Sequence, residues 1–271
     1  MAPQPLFLDS RSGRLFAVHY PAASDRSGRA VLYVPPFAEE MNRARRMATL
    51  QGRAFAASGV STLLLDLHGT GDSAGDFRDA TMARWLDDIA AAADWLNAQG
   101  HSSVGLWGLR FGALLACAAA AKQPDRFREL LLWQPVTDAK IMLTQFLRIR
   151  VAAAMADQGV TEKTEDLRAQ LSAGQSVEVA GYEISSELGQ ALDRMKLDQL
   201  RPAPGTKLRW LEVATEASET LLPASQRVAD AWSDAGVTLT RTTVAGDPFW
   251  TIQETTLAPA LLAASADFAH G

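Results

Sequence analysis

The chain has 271 residues, of which 48% are hydrophobic and 21% charged, and its formal net charge is −5 at pH 7. These values support one substantial core, and the mild negative charge argues against nucleic acid as the main partner. The single cysteine, Cys117, excludes an intrachain disulfide and is typical of a reducing compartment, so we expect a cytoplasmic location.

No targeting or membrane-spanning segment is expected. Residues 1–10 lack the basic and apolar regions of a signal peptide. The most apolar stretch, residues 104–121, approaches the length of a membrane span, but Arg110 lies in its middle and glycines interrupt it. A strand, a sharp turn and a buried helix explain this stretch better.

In chain order, the hydrophobic pattern predicts an antiparallel hairpin and then a regular alternation of strands and helices. Alternating runs at residues 5–8 and 14–20 form the hairpin. Strands are then predicted at residues 30–34, 61–67, 103–107, 129–133, 207–214 and 237–244. Helices are predicted at residues 42–58, 80–98, 111–121, 225–235 and 257–269. This alternation predicts right-handed crossovers and a mostly parallel sheet.

One segment, residues 137–204, breaks this alternation and contains no convincing strand. It has helix-like stretches at residues 141–157, 162–172 and 185–200. Ordinary connections rarely exceed about 15 residues. We therefore predict a helical cap at residues 137–204, inserted into a core formed by residues 1–136 and 205–271. The alternative is a set of peripheral helices far from any functional site.

The pentapeptide Gly108-Leu109-Arg110-Phe111-Gly112 joins a buried strand to a helix of Ala and Leu. It resembles the nucleophile elbow of α/β hydrolases, whose signature is G-x-S-x-G, with Arg110 in the position of the catalytic serine. The flanking glycines have a mechanical role, because side chains beside the strained central residue would clash with the neighbouring strand and helix.

Two further blocks support the resemblance. Residues 66–73 (DLHGTGDS) are similar to the D-x-x-G-x-G-x-S loop of many α/β hydrolases, and Pro35-Pro36-Phe37 stands where that family places its oxyanion loop. The order and spacing of the three blocks match over nearly the whole chain. The resemblance implies an α/β-hydrolase fold, with a mostly parallel central sheet flanked by helices and a helical cap insertion.

Several strings resemble one subgroup, the exosortase A system-associated hydrolase of the second type. They are residues 36–42 (PFAEEMN), 45–47 (RRM), 66–77 (DLHGTGDSAGDF), 108–112 (GLRFG), 132–135 (LWQP) and 248–250 (PFW). This resemblance implies a link to bacterial exopolysaccharide production and protein sorting. The subgroup takes its name from its fold, so the name carries no activity.

The groups of an ordinary serine hydrolase are missing. Arg110 stays protonated and cannot attack a carbonyl, and residues 245–250, where the family places its catalytic base, contain no histidine. Of the four histidines, only His68 is expected near the site, either as a loop anchor or in catalysis. Asp138 and Glu216 stand at strand ends but have no imidazole to orient, so both are predicted to be surface carboxylates.

Replacement nucleophiles are not expected either. Ser73 lies in the glycine-rich loop and is predicted to be a turn-capping hydroxyl. Cys117 lies about two turns into the alanine-rich helix and is predicted to be a small buried residue.

An anion site is the main functional prediction. In the α/β-hydrolase fold the oxyanion hole is formed by backbone N–H groups, here those of Phe111 and of the loop near Phe37. A helix N-terminus and the Arg110 guanidinium add positive charge at the same place, which suits a carboxylate or phosphate. Alternatively Glu39 or Glu40 neutralises Arg110. If both lie on an extended segment, at most one of them faces the pocket.

Glu39 and Glu40 also have two other interpretations. They precede the predicted helix at residues 42–58 and complement its dipole, and Glu39 has salt-bridge spacing to Arg43. In the sharper interpretation, Glu39 or Glu40 acts as a general acid–base with a raised pKa, and together with His68 and Asp72 activates a water.

Three functions follow. The first is a degenerate hydrolase homologue that binds a small anionic or acyl-saccharide ligand, or a partner protein, through Arg110. The second is an unconventional hydrolase of esters or glycans that uses Glu39 or Glu40 and His68 with Arg110. The third is a non-catalytic structural partner. No metal or cofactor is predicted. The remaining predicted ligand-binding residues are Gln134, Trp133, Phe249 and Trp250, although the aromatic side chains could instead pack under the cap.

Overall fold

The computed structural model describes residues 2–24, 28–158 and 162–270. The sequence forms ten strands within these ranges. They are β1 (Gln4–Ser10), β2 (Gly13–Tyr20), β3 (Arg29–Val34), β4 (Ser61–Leu65), β5 (Ser103–Leu109), β6 (Glu129–Trp133), β7 (Val177–Val179), β8 (Tyr182–Ile184), β9 (Lys207–Ala214) and β10 (Thr238–Ala245).

Eight of these strands form one sheet in the order β1-β2-β4-β3-β5-β6-β9-β10. The first two strands form the predicted antiparallel hairpin, and β2 pairs antiparallel with β4. All other pairings in this sheet are parallel. The sheet confirms the predicted mostly parallel α/β architecture.

Helices cover both faces of the sheet. They are α1 (Glu39–Ala57), α2 (Met82–Ala98), α3 (Phe111–Lys122), α4 (Ala139–Gln158), α5 (Thr164–Ser172), α6 (Ser186–Arg194), α7 (Pro223–Asp234) and α8 (Pro259–Ser265). Successive strand residues point to opposite faces, and a strand covered on both sides is therefore apolar throughout. In β5, Leu106 packs with the core under α2 and α3, whereas Trp107 packs with the core under α1 and α8.

The segment between β6 and β9 contains α4, α5 and α6, together with a small hairpin of β7 and β8. The prediction that residues 137–204 hold no strand was wrong. These strands have three residues each, too short to show a period, and they are joined by Ala180 and Gly181, both with positive φ as in a tight hairpin turn. The predicted helix at residues 185–200 ends at Arg194 and is followed by a 3-10 turn at Leu197–Gln199. The division into core and cap stays a prediction.

Within the described residues, no helix has both the length and the apolar character that crossing a membrane requires.

Candidate functional site

The turn between β5 and α3 has the backbone strain of a nucleophile elbow. Arg110 has φ 56° and ψ −118°, a region that non-glycine residues rarely adopt. A Cβ on Gly108 would lie 2.4 Å from the carbonyl oxygen of Gly112, and one on Gly112 would lie 2.2 Å from that of Val34. Both glycines are therefore required for this close packing.

A second strained residue lies at the start of α1. Ala38 has φ 50° and ψ −126°, nearly the same conformation as Arg110, and both residues stand directly before a helix. Within the described residues, the backbone N–H groups of Phe37 and Phe111 donate to no backbone carbonyl. Two loops thus leave N–H donors at helix N-termini, a favourable setting for negative charge.

The guanidinium of Arg110 is only partly satisfied by the protein. Its Nε donates to Oε1 of Glu40 at 3.3 Å, and its central carbon lies 5.6 Å from the centroid of the Trp250 ring. Among the described residues, neither Nη atom of Arg110 has a hydrogen-bond acceptor, although only 20% of the side chain is exposed. The end of the guanidinium that suits bidentate binding is free.

Glu40 is the internal counter-ion that the sequence left as an alternative. Its Oε2 is buried and has no hydrogen-bond partner among the described residues. Burial raises the pKa of Glu40, and the nearby Arg110 offsets this only in part. Glu40 therefore occupies the Nε side of the Arg110 guanidinium and leaves the two Nη atoms accessible to a ligand.

Glu39 lies beside Glu40 in the first turn of α1, because the helix begins three residues earlier than predicted. The expectation of an extended segment, with at most one of the two facing the pocket, was therefore wrong. Both residues line the same cavity. Glu39 forms the predicted i,i+4 salt bridge, with 2.9 Å between its Oε2 and Nη2 of Arg43.

Two cavities meet at Arg110. The first, which we call the aromatic cavity, has a volume of 240 Å³ and is lined by Phe37, Glu39, Glu40, Arg43, Arg110, Met142, Gln145, Phe146, Ile149, Trp250 and Thr251. The second, the polar cavity, has a volume of 180 Å³ and is lined by Arg110, Gln134, Pro135, Val136, Thr137, Asp138, Ile141, Met142, Gln145, Glu212, Leu222, Ala224 and Ser225. Helix α4 contributes Met142 and Gln145 to both.

The profile of the X-Pro dipeptidyl-peptidase family (S15 family) matches residues 16–243. The chain belongs to this family. No curated protein sequence matches it.

Solved structures of α/β hydrolases are similar to this S15-family chain over nearly its full length. Est1E from Butyrivibrio proteoclasticus with bound ferulic acid is 16% identical, with a TM-score of 0.63 and 97% of both chains covered. A complex of DcsB with its substrate analogue is 16% identical, with a TM-score of 0.62, covering 99% of this chain and 98% of that chain. An α/β serine hydrolase homologue from Coxiella burnetii is 13% identical, with a TM-score of 0.55, covering 99% and 96%. These similarities establish the α/β-hydrolase fold.

In this S15-family chain, His68 lies away from the two cavities. Its backbone N–H donates to Oδ2 of Asp88 at 2.9 Å, and its carbonyl accepts from Nε1 of Trp85 at 3.0 Å. The imidazole packs so closely on Gly75 that a Cβ there would lie 2.2 Å from its Cε1. Asp72 is exposed, and its N–H donates to Asp66. The structure therefore does not bring His68 and Asp72 to Arg110, and His68 holds the glycine-rich loop.

The predicted aromatic residues divide into two groups. Phe37 and Trp250 line the aromatic cavity. Trp133 and Phe249 are buried in the core below it, and Nε1 of Trp133 donates to Oγ of Ser265 at 2.8 Å. Phe111 is buried as well, with its ring 5.6 Å from that of Phe37, and it lines neither of the two cavities. Trp133 and Phe249 are thus packing residues.

The polar cavity is lined by Gln134 and also by Glu212, a carboxylate that was not among the predicted site residues. Gln134 has φ 43°, and its Oε1 accepts from the N–H of Val213 at 2.7 Å, which ties β6 to β9. Glu212 is buried and accepts from Nε1 of Trp210 at 3.2 Å and from the N–H of Leu222 at 2.8 Å. Glu212 could have been found in the sequence, because it is the only acidic residue of the predicted strand at residues 207–214.

The remaining candidates have structural roles. Asp138 Oδ1 accepts from the N–H groups of Lys140 and Ile141 at the start of α4, while Glu216 is exposed. Ser73 Oγ donates to the carbonyl of Asp66 at 2.6 Å, as expected for a turn. Burial raises the pKa of the Cys117 thiol, which agrees with the predicted inert role. Across the described residues, no three His, Cys, Asp or Glu side chains cluster as metal ligands.

Proposed function

We propose that this S15-family protein is a degenerate hydrolase homologue that binds a small acidic or acyl-saccharide ligand through Arg110. The observation that carries the proposal is the free Nη pair of Arg110 at the junction of two cavities. A guanidinium in a partly apolar pocket binds an anion strongly, because water competes less for the same hydrogen bonds.

Ordinary serine-hydrolase chemistry does not fit this site. Arg110 replaces the nucleophile, and no histidine lines either cavity within the described part of the chain. Loss of members of a catalytic triad typically lowers the rate by about four to six orders of magnitude. The residues of this site therefore suit ligand binding better than they suit acyl transfer.

The biological setting of the proposal comes from the sequence. The strings shared with exosortase A system-associated hydrolases support a role in bacterial exopolysaccharide systems. The single buried cysteine supports a reducing compartment such as the cytoplasm.

The test is a calorimetric titration of the protein with acetate, inorganic phosphate, citrate and an acylated uronic acid. We expect at least one of them to bind the wild type at least about tenfold more tightly than Arg110→Ala, because a charge-assisted hydrogen bond contributes about 1.5–3 kcal/mol. Arg241→Ala is the control, since Arg241 lies on the edge strand β10, pairs with Asp230 and lines neither cavity. Identical affinities for wild type and Arg110→Ala would refute the proposal and leave a structural role.

A second candidate is hydrolysis without a covalent intermediate, with Glu40 as the general base. One observation favours it, the raised pKa of Glu40, whose carboxyl lines the aromatic cavity next to Arg110. It requires that nitrophenyl-ester turnover be insensitive to fluorophosphonates and fall at least about 100-fold in Glu40→Gln. Unchanged turnover in that variant would eliminate this role.

A further inference from the structure

The two cavities at Arg110 differ in chemistry, and this difference narrows the class of ligand. The aromatic cavity presents the rings of Phe37, Phe146 and Trp250, with Met142 and Ile149 beside them. Burial of an apolar group there is favourable, at about 25 cal/mol per Å². A ligand whose charged group binds Arg110 therefore binds most tightly when it also buries an apolar tail in this cavity.

The charges around the cavities limit the charge of the ligand. The guanidinium groups among the lining residues of both cavities are Arg43 and Arg110, and the carboxylates are Glu39, Glu40, Asp138 and Glu212. Arg43 is already engaged, because it donates to Glu39 and to the carbonyl of Thr251 at 2.9 Å each. A second negative charge on a ligand would thus meet carboxylates and no free cation in the described lining.

Glu40 also decides which atoms of Arg110 a ligand reaches. It occupies Nε, so the Nη pair is what remains for an external anion. Two parallel donors match the two oxygens of one carboxylate. The partly buried Glu40 lies within hydrogen-bond distance of the same guanidinium, so its repulsion of a dianion is less screened than that of an exposed charge.

We propose, building on the anion-binding function above, that the site selects monocarboxylates with an apolar tail and that Glu40 is the residue that excludes dianions. The carboxylate lies end-on against the two Nη atoms of Arg110, and the tail lies in the aromatic cavity. Phosphate monoesters with the same tail are rejected by charge, and alcohols with the same tail lack a partner for Arg110.

The test compares three probes of eight carbons each, octanoate, octyl phosphate and octanol, by calorimetry at pH 7.5, where a phosphate monoester is mainly a dianion. For the wild type we expect octanoate to bind at least about tenfold more tightly than either of the other probes, the effect of one charge-assisted contact. This comparison needs no variant and therefore does not depend on how a substitution folds. Equal affinity for octyl phosphate and octanoate would overturn the selectivity.

Variants of Glu40 and Glu39 test whether Glu40 causes the preference for octanoate over octyl phosphate. Glu40→Gln should raise the affinity for octyl phosphate relative to octanoate at least about fivefold, because it removes a charge next to the ligand. Glu39→Gln is the matched control, one residue away but neutralised by Arg43, and should change this ratio less than half as much. An unchanged ratio in Glu40→Gln would refute its role as the excluding residue.

Different results would contradict the anion-binding function and the selectivity for monocarboxylates. If octyl phosphate binds as well as octanoate and both are lost in Arg110→Ala, the selectivity is wrong but the anion-binding function stands. If Arg110→Ala binds octanoate like the wild type, the anion-binding function and the selectivity are both wrong.

Discussion

Arg110 has a strained backbone conformation, as the nucleophile does in the elbow of α/β hydrolases. A non-glycine residue in this conformation costs about 1–3 kcal/mol, and it persists only where the surroundings impose it. Here the carbonyl of Trp133 accepts from the Arg110 N–H at 2.8 Å, and the Arg110 carbonyl accepts from Val136. In this conformation the Arg110 side chain lines both cavities.

A serine introduced at position 110 should not create hydrolytic activity. In Arg110→Ser the elbow and the N–H donors are retained, but no imidazole lines either cavity in the described residues, so the hydroxyl has no base. We expect nitrophenyl-acetate turnover within about threefold of Arg110→Ala, and no fluorophosphonate labelling, since the missing base accounts for most of the lost rate. A labelled Ser at this position would show that a base reaches the site after all.

At the scale of elements, the site depends on how closely α3 approaches β3. A Cβ on Gly112 would lie 2.2 Å from the carbonyl oxygen of Val34 and 2.4 Å from that of Pro35, and backbone atoms cannot move aside as side chains do. Gly112→Ala therefore requires α3 to shift. We expect a loss of about 1–3 kcal/mol or more in the free energy of unfolding, measured with urea.

Gly52 in α1 is the matched helical glycine. A Cβ there would lie 3.4 Å from Tyr20 and 3.5 Å from Thr62, which is ordinary contact. Gly52→Ala should leave stability unchanged or raise it by up to about 1 kcal/mol, because alanine favours helix. Equal losses in the two variants would mean that the elbow glycine has no special packing role.

Most elements were predictable because their patterns are strong. Strands β3 to β6 are continuous apolar runs that end in turn residues, and the elbow has its two glycines at fixed spacing. The start of α1 was misplaced because Glu39 and Glu40 have no apolar period of their own, and the strained Ala38 before them carries no sequence signal. The hairpin of β7 and β8 was missed because three residues are too few to show alternation.

The site was predictable only in part, for a reason that belongs to packing. The sequence places Trp133, Phe249 and Trp250 at strand ends, but only three-dimensional packing decides which ring faces a cavity. Trp250 lies over Arg110, whereas Trp133 is taken up by contacts with Trp107 and Ser265. Likewise the partner of Arg110 could be narrowed to Glu39 or Glu40 from the sequence, and the helical position of Glu40 decided it.

At the scale of the whole molecule, the two cores on either side of the sheet are joined by strands with few polar interruptions. His19 is one of these interruptions. It lies at the end of the hairpin strand β2, is buried, and packs edge-on against Trp95 of α2, with 5.1 Å between the ring centroids. Its Nε2 has no hydrogen-bond partner among the described residues. The second strand of the sheet thus contacts α2 through an imidazole whose burial disfavours the protonated form.

His19 should therefore make the whole fold sensitive to acid. Burial, and secondarily the charge of His101, lowers the pKa of His19 from 6.5 to about 4. Below pH 6.5 His19 binds a proton in the unfolded chain but stays neutral in the folded chain. Its contribution to the free energy of unfolding is therefore fully present above pH 6.5 and is lost as the pH falls toward 4. The loss amounts to at most about 3 kcal/mol.

Urea unfolding of wild type and His19→Phe at pH 7 and pH 4.5 measures this loss of stability. Carboxylates titrate in both proteins, so the difference between the two proteins isolates His19, and His19→Phe should lose less stability on acidification. Parallel losses would show that His19 is protonated in the folded protein and that its burial against Trp95 costs nothing.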